Sequence, residues 1–153
     1  MAERTLIIVK PDAVQRHLAG EIIGRFEAKG FKLVAAKFMT IPEELARRHY
    51  AVHKGKPFFE GVVKYLASAP SLIMVWEADG IIDMARKMIG GTFGYNSEPG
   101  TIRADYGCSK IYNLIHGSDS SVSAEQEIKL FFSSDEVIDY QLANAAWLYG
   151  KNE

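Results

Sequence analysis

The sequence is short of three things, and each shortage closes off a class of protein. It has a single cysteine, Cys108. No intramolecular disulfide can form, no thiolate framework for a metal exists, and a reducing cytoplasm is the expected setting. It has no excess of either charge, with 18 basic and 19 acidic residues giving a formal net charge of -1. A broad electrostatic footprint for nucleic acid or an anionic membrane is therefore not expected. It also has no apolar run near the ~18 residues of a membrane span. The N-terminus, "MAERTLIIVKPD", meets a lysine after a brief apolar stretch and fits no secretion signal. What is present is an ordinary globular composition, 48% hydrophobic and 24% charged over 153 residues, expected to form one domain over 1–153.

Along the chain, "TLIIV" (5–9) is apolar and β-branched throughout, which predicts a strand buried on both faces. Asp12 is a candidate N-cap for a short helix. "GEIIGRFEAKG" from Gly20 has helical spacing and a glycine stop at Gly30. A strand over 31–38, a helix opened by Pro42 and running through "EELARRHYAVHK", and a helix over 58–68 follow. "SLIMVW" (71–76) predicts a second buried strand, and "DGIIDMARKMIG" a helix capped by Asp79. "IYNLI" (111–115) predicts another strand, and 124–132 the last long helix. From about Gly90 to Lys110 no periodicity is visible, and a loop that long is usually functional or disordered. The order β-α-β-α-α-β-α-loop-β-α predicts an α+β sandwich consistent with a ferredoxin-like β-α-β-β-α-β core.

The stretch "IYNLIHGSDSSVSAEQEI" carries the strongest chemical signal. Ala124, Glu127, Ile128 and Phe131 share one helical face, so Glu127 falls on an apolar stripe where an unpaired carboxylate is costly. His116, just before that helix, is its nearest candidate partner. A carboxylate on one ring nitrogen fixes the tautomer and leaves the other as a lone-pair donor. Ser123 and Gln126 form a candidate capping box, and free N–H groups at a helix start favour a phosphate. The same residues read about equally well as a hydrogen-bonded core histidine beside an ordinary N-cap.

Lys10 closes the first strand, Arg86 lies on a helix and Arg103 ends "SEPGTIR". Together these would suit phosphoryl transfer, which is mostly positioning and charge neutralisation. Phe58 could stack on a base. His49 and His53 have the i, i+4 spacing of a zinc helix, but H-E-x-x-H is incomplete and they read as surface histidines. There is no G-x-x-x-x-G-K-[ST] loop and no dinucleotide fingerprint.

Taken together, "ERTLIIVKPDAVQR", "HY…KPFF", "MVWE", "SEPGTIRADYG" and "NLIHGSDS…SAEQEI" resemble a nucleoside diphosphate kinase, over nearly the whole chain. The resemblance implies a ferredoxin-like core and a Mg²⁺-dependent ping-pong transfer of a γ-phosphate between nucleotides, with low base specificity. It implies His116 as the phosphorylated nucleophile, Glu127 as its orienting partner and Ser118 as support for that pair. Lys10, Tyr50, Arg86, Thr92 and Arg103 would surround the phosphates. Asn113 and Lys10 would meet the sugar, and Phe58 would stack on the base. No protein side chain is assigned to the magnesium. The resemblance further implies a cytoplasmic homohexamer, with a tetramer as the alternative. Phe93-Gly94 stands where many relatives have Asn-Pro, and Lys110, Tyr112 and Ala104 also depart from the common pattern. A catalytically silent nucleotide-binding protein would be expected to have lost part of this residue set. A nucleic-acid-binding ferredoxin-like module would need a basic face.

Overall fold

The computed structural model describes residues 2–153. Four strands, β1 (Ala2–Val9), β2 (Lys32–Met39), β3 (Ser71–Asp79) and β4 (Ile115–Gly117), form one sheet in the order β2-β3-β1-β4. Every pairing is antiparallel. Among the described residues the sheet is accompanied by seven α-helices: α1 (Pro11–Gln15), α2 (Ala19–Lys29), α3 (Glu43–His49), α4 (Phe59–Leu66), α5 (Ile81–Ile89), α6 (Ile102–Tyr106) and α7 (Ser121–Phe131). This is the ferredoxin-like α+β fold, with additional helices on the sheet's second face.

The unbroken apolar run in β1 follows from that double covering. Ile7 and Val9 pack with Phe26, Trp76, Ile81 and Ile89 on one face. Leu6 and Ile8 pack with Val63, Leu66, Val75 and Phe131 on the other. A strand with helices on both sides has no solvent face, so polar alternation disappears. Residues 5–9 are buried.

Several local expectations need correction. Asp12 does not cap α1. Lys10 holds the N-cap position with Pro11 at the first helical turn, and the Asp12 carboxylate instead reaches across to accept from the Leu114 N–H (3.1 Å) and the Tyr65 hydroxyl. Asp79 ends β3, and Gly80, at φ 66°, is the residue that turns the chain into α5. The segment 90–110 is not structureless: it holds a 3-10 turn at Gly94–Asn96 and α6. The α3 helix stops at His49, followed by a separate 3-10 turn, Ala51–His53. α7 is capped by Ser120, whose hydroxyl accepts from Ser123 N–H at 3.1 Å, and not by a Ser123 box.

The largest correction concerns the last strand. Residues 111–114 are loop, and the strand is Ile115–Gly117 with His116 at its centre. Leu114 sits at φ 75°, a left-handed conformation costing about 1–3 kcal/mol for a non-glycine residue. The bond to Asp12 helps hold it there.

Candidate active site

Register aims the histidine. His116 pairs with Ile8, Ile115 with Val9, and Gly117 with Ile7. Directly opposed residues of an antiparallel pair project to the same face. His116 therefore shares the Ile8 face, beneath α3 and α7, while Ile115 joins the other core. Gly117 projects to that other face, where a Cβ would come within 2.6 Å of Ile89 Cδ1 and 3.3 Å of Ile7 Cδ1. The glycine after the histidine keeps this short strand seated against β1.

Glu127 reaches His116 from α7. Its Oε2 lies 2.9 Å from Nε2 without an aligned N–H···O hydrogen bond, so the carboxylate sits against that side of the ring. The other carboxylate oxygen accepts from the Ser118 hydroxyl at 2.6 Å, and that hydroxyl accepts from the Leu6 N–H at 3.0 Å. Ser118 thus ties the carboxylate to the central strand. Nε2 is buried while the side chain is 20% exposed, so the ring meets solvent along its other edge.

His116 lines a cavity of about 700 Å³ together with Tyr50, Arg86, Thr92, Arg103 and Glu127 among others. Burial pushes the Tyr50 phenol up to about 12, so it is a proton donor at neutral pH. Arg103 donates to the carbonyls of Asn113, Gly90, Gly91 and Ile115. Those bonds fix its guanidinium, and with five N–H groups available one remains for an anion. Burial first, then Arg86, brings Arg103 down to about 10, still charged at neutral pH. Asp119 lines the same cavity, its carboxyl held below the usual range chiefly by the Ser123 hydroxyl.

Four further residues singled out in the sequence do not line this cavity but connect to residues that do. Lys10 Nζ donates to Asn113 Oδ1 at 2.8 Å, and the Asn113 carbonyl in turn accepts from Arg103 Nε at 3.1 Å. Burial, reinforced by Arg103, lowers the Lys10 ammonium to about 7. Phe58 is 49% exposed and meets the His53 ring edge-on at 5.2 Å. Ser118 stands behind the histidine as described.

Sequence reasoning missed His49, Asp12 and the cavity-lining Arg48 and His53. His49 is not a surface residue. Its side chain is 1% exposed, and its ring packs edge-to-face on His116 with centroids 4.6 Å apart. The signal was available: Leu45 and Ala46 stand four and three positions before it, which puts His49 on the apolar stripe of α3. In the 90–110 segment the replaced proline does not leave an open loop. A Cβ on Gly94 would lie 2.2 Å from the Gly107 carbonyl oxygen. Tyr112 stacks on Tyr65 at 4.9 Å.

A strand-borne histidine backed by a tethered carboxylate, in a cavity of guanidinium and hydroxyl donors, suits phosphoryl transfer through a histidine. The family model for nucleoside diphosphate kinase matches residues 3–137. The nucleoside diphosphate kinase of Crocosphaera subtropica is 52% identical over 147 residues, covering 96% of this chain and 99% of that protein. That of Staphylococcus epidermidis is 51% identical with the same coverage. The halophilic nucleoside diphosphate kinase of Halobacterium salinarum, solved in complex with CDP, superposes with a TM-score of 0.96 at 48% identity, over 98% of this chain and all of that one. The chain belongs to the nucleoside diphosphate kinase family.

Proposed function

We propose that His116 Nδ1 is the atom that carries the phosphoryl group in the ping-pong exchange between nucleoside triphosphates and diphosphates. The reading rests on one observation: Glu127 occupies the Nε2 side of the ring, that nitrogen is buried, and the ring lines the basic cavity. In the first half-reaction the Nδ1 lone pair attacks the γ-phosphorus and the bond to the bridging oxygen breaks. The diphosphate leaves with that electron pair. Nε2 keeps its proton, and the Glu127 carboxylate stabilises the positive charge that develops on the ring. In the second, a terminal oxygen of another nucleoside diphosphate attacks, the N–P bond breaks and the lone pair returns to Nδ1.

The surrounding residues position the phosphates. Arg86, Arg103 and the Tyr50 and Thr92 hydroxyls would neutralise and orient the transferring group, and charged Lys10 would meet the phosphate and sugar beside Asn113. Phe58 would stack on the base, and a π-face reads no base edge, so specificity for the base is low. The CDP bound by the Halobacterium salinarum relative supports a nucleotide in this cavity.

Magnesium fits this site as an ion brought in on the phosphates. Among the described residues the one cluster of three ligating side chains, His49, His116 and Glu127, is mostly nitrogen, whereas Mg²⁺ prefers oxygen and retains water. Bound there, it would supply charge neutralisation of the triphosphate.

We place the protein in the cytoplasm as a homohexamer, with a tetramer as the alternative. No described helix is long and apolar enough to cross a membrane. Phe38 on edge strand β2 is 62% exposed and Trp147 is 91% exposed, which suits further burial between subunits. Light scattering on a sizing column distinguishes six chains from four and from one. Phosphorus NMR of the phosphorylated protein tests the chemistry: a phosphoramidate at Nδ1 that disappears on adding GDP is expected. A signal from Nε2 or from a serine ester would overturn the assignment.

A further inference from the structure

His49 is left over by the mechanism above. Its side chain is almost wholly buried, and neither ring nitrogen makes a hydrogen bond among the described residues. A buried polar group without a partner is costly, and such groups call for an explanation. The ring is held in place, packed against Tyr50, His116 and Phe131. Its Nδ1 lies 3.8 Å from the same Glu127 oxygen that lies 2.9 Å from His116 Nε2. Ligand atoms of all three residues fall within 4.8 Å of one another.

We infer that His49, His116 and Glu127 form a binding site for a first-row transition cation such as Zn²⁺, and that the bound cation blocks phosphorylation of His116. Ligands on a tetrahedral zinc, at bonds of ~2.0–2.1 Å, stand about 3.3 Å apart. The two contacts to Glu127 Oε2 bracket that value, so bringing His49 and His116 closer together completes three ligands. Two imidazoles and a carboxylate suit zinc or copper and are a poor set for magnesium.

The blockade follows from tautomerism and rests on the assignment of Nδ1 as the attacking atom. A neutral imidazole that gives its Nε2 lone pair to a metal carries its proton on Nδ1. Coordination thus shifts the ring proton from Nε2 to Nδ1 with no net release, and the attacking lone pair is gone. Glu127 is drawn to the metal at the same time. The site is a reversible off-state of the nucleophile, reached through a residue that takes no part in the transfer.

The test uses nucleotide-free protein titrated with Zn²⁺ in the presence of excess Mg²⁺. One equivalent per chain should bind in competition with a chromophoric chelator, and nitrogen NMR should show His49 Nδ1 and His116 Nε2 shifting together. Phosphoenzyme formation should fall in proportion to occupancy. His49→Phe, chosen to keep the packing, should raise the Zn²⁺ needed for half-inhibition at least about tenfold. No shift of the two nitrogens in the wild type would overturn the site even if the variant failed to fold. Equal zinc sensitivity in His49→Phe, or a loaded protein that is phosphorylated at full rate, would also overturn it. If zinc-free protein took no phosphate on His116, the reading of the nucleophile would fail, and the blockade with it.

Discussion

Replacing Ser118 with alanine deletes one oxygen and disturbs two systems at once. The side chain is 1% exposed, and its hydroxyl is the link between Leu6 of β1 and Glu127 of α7. Without it the buried Leu6 N–H loses its partner, at about 1–3 kcal/mol. The bond to a charged carboxylate is worth about 1.5–3 kcal/mol. The two losses share one cavity and will not add fully, so a total of about 2–4 kcal/mol is expected. Against a typical folding stability of about 5–15 kcal/mol, that is a large fraction. Urea unfolding at fixed protomer concentration measures it, as a lowered midpoint with unchanged slope. Glu127 also loses the anchor that places it on His116, so transfer should slow by roughly tenfold, an estimate equivalent to about 1.4 kcal/mol of transition-state stabilisation. A double cycle with Glu127→Gln should show coupling between the two positions, because the hydroxyl acts through the carboxylate. Ser118→Ala within about 0.5 kcal/mol of wild type, the range of ordinary surface changes, would refute the linkage.

Three other outcomes follow from the same geometry. Lys10 must be charged to hold a phosphate but is lowered to about 7 in the free protein, so nucleotide affinity should weaken by up to about tenfold per pH unit above 7. Calorimetry in buffers of different ionisation enthalpy should detect proton uptake on binding. Phe58→Ala should weaken every nucleotide by about 1–3 kcal/mol, the value of one base–aromatic stack, without changing the ranking of bases. Competition binding with ADP, GDP and CDP checks this, and a base-selective loss would contradict it. Asp12→Ala removes the acceptor that holds the Leu114 N–H. It should raise KM more than it lowers kcat, because Asn113 is displaced before His116 is; initial-rate kinetics separate the two.

Much of this was legible in the chain because local chemistry and tertiary structure agree. The "TLIIV" run has no polar alternation, and the strand has helices on both faces. Glu127 could be placed on a buried face from spacing alone, and it does face His116. Misreadings arose where a long-range contact outweighs local pattern. "IYNLI" looks like a strand, yet only residues that pair with β1 belong to one, and that pairing begins at Ile115. The left-handed Leu114 depends on Asp12, about a hundred positions away, which no window of sequence can contain. α6 was invisible because five residues are too few to show a helical period. His49 was judged against a zinc motif when Leu45 and Ala46, one turn earlier on the same helix face, were the stronger guide.

Whether His116 relays a phosphoryl group is decided by one labelling experiment. Protein incubated with γ-labelled ATP and Mg²⁺ in the absence of acceptor should gain acid-labile, base-stable label. A chase with unlabelled GDP should move that label to GTP, and His116→Ala should take up none. Nucleotide binding without any label on the wild type would contradict the relay, as would label that persists in His116→Ala.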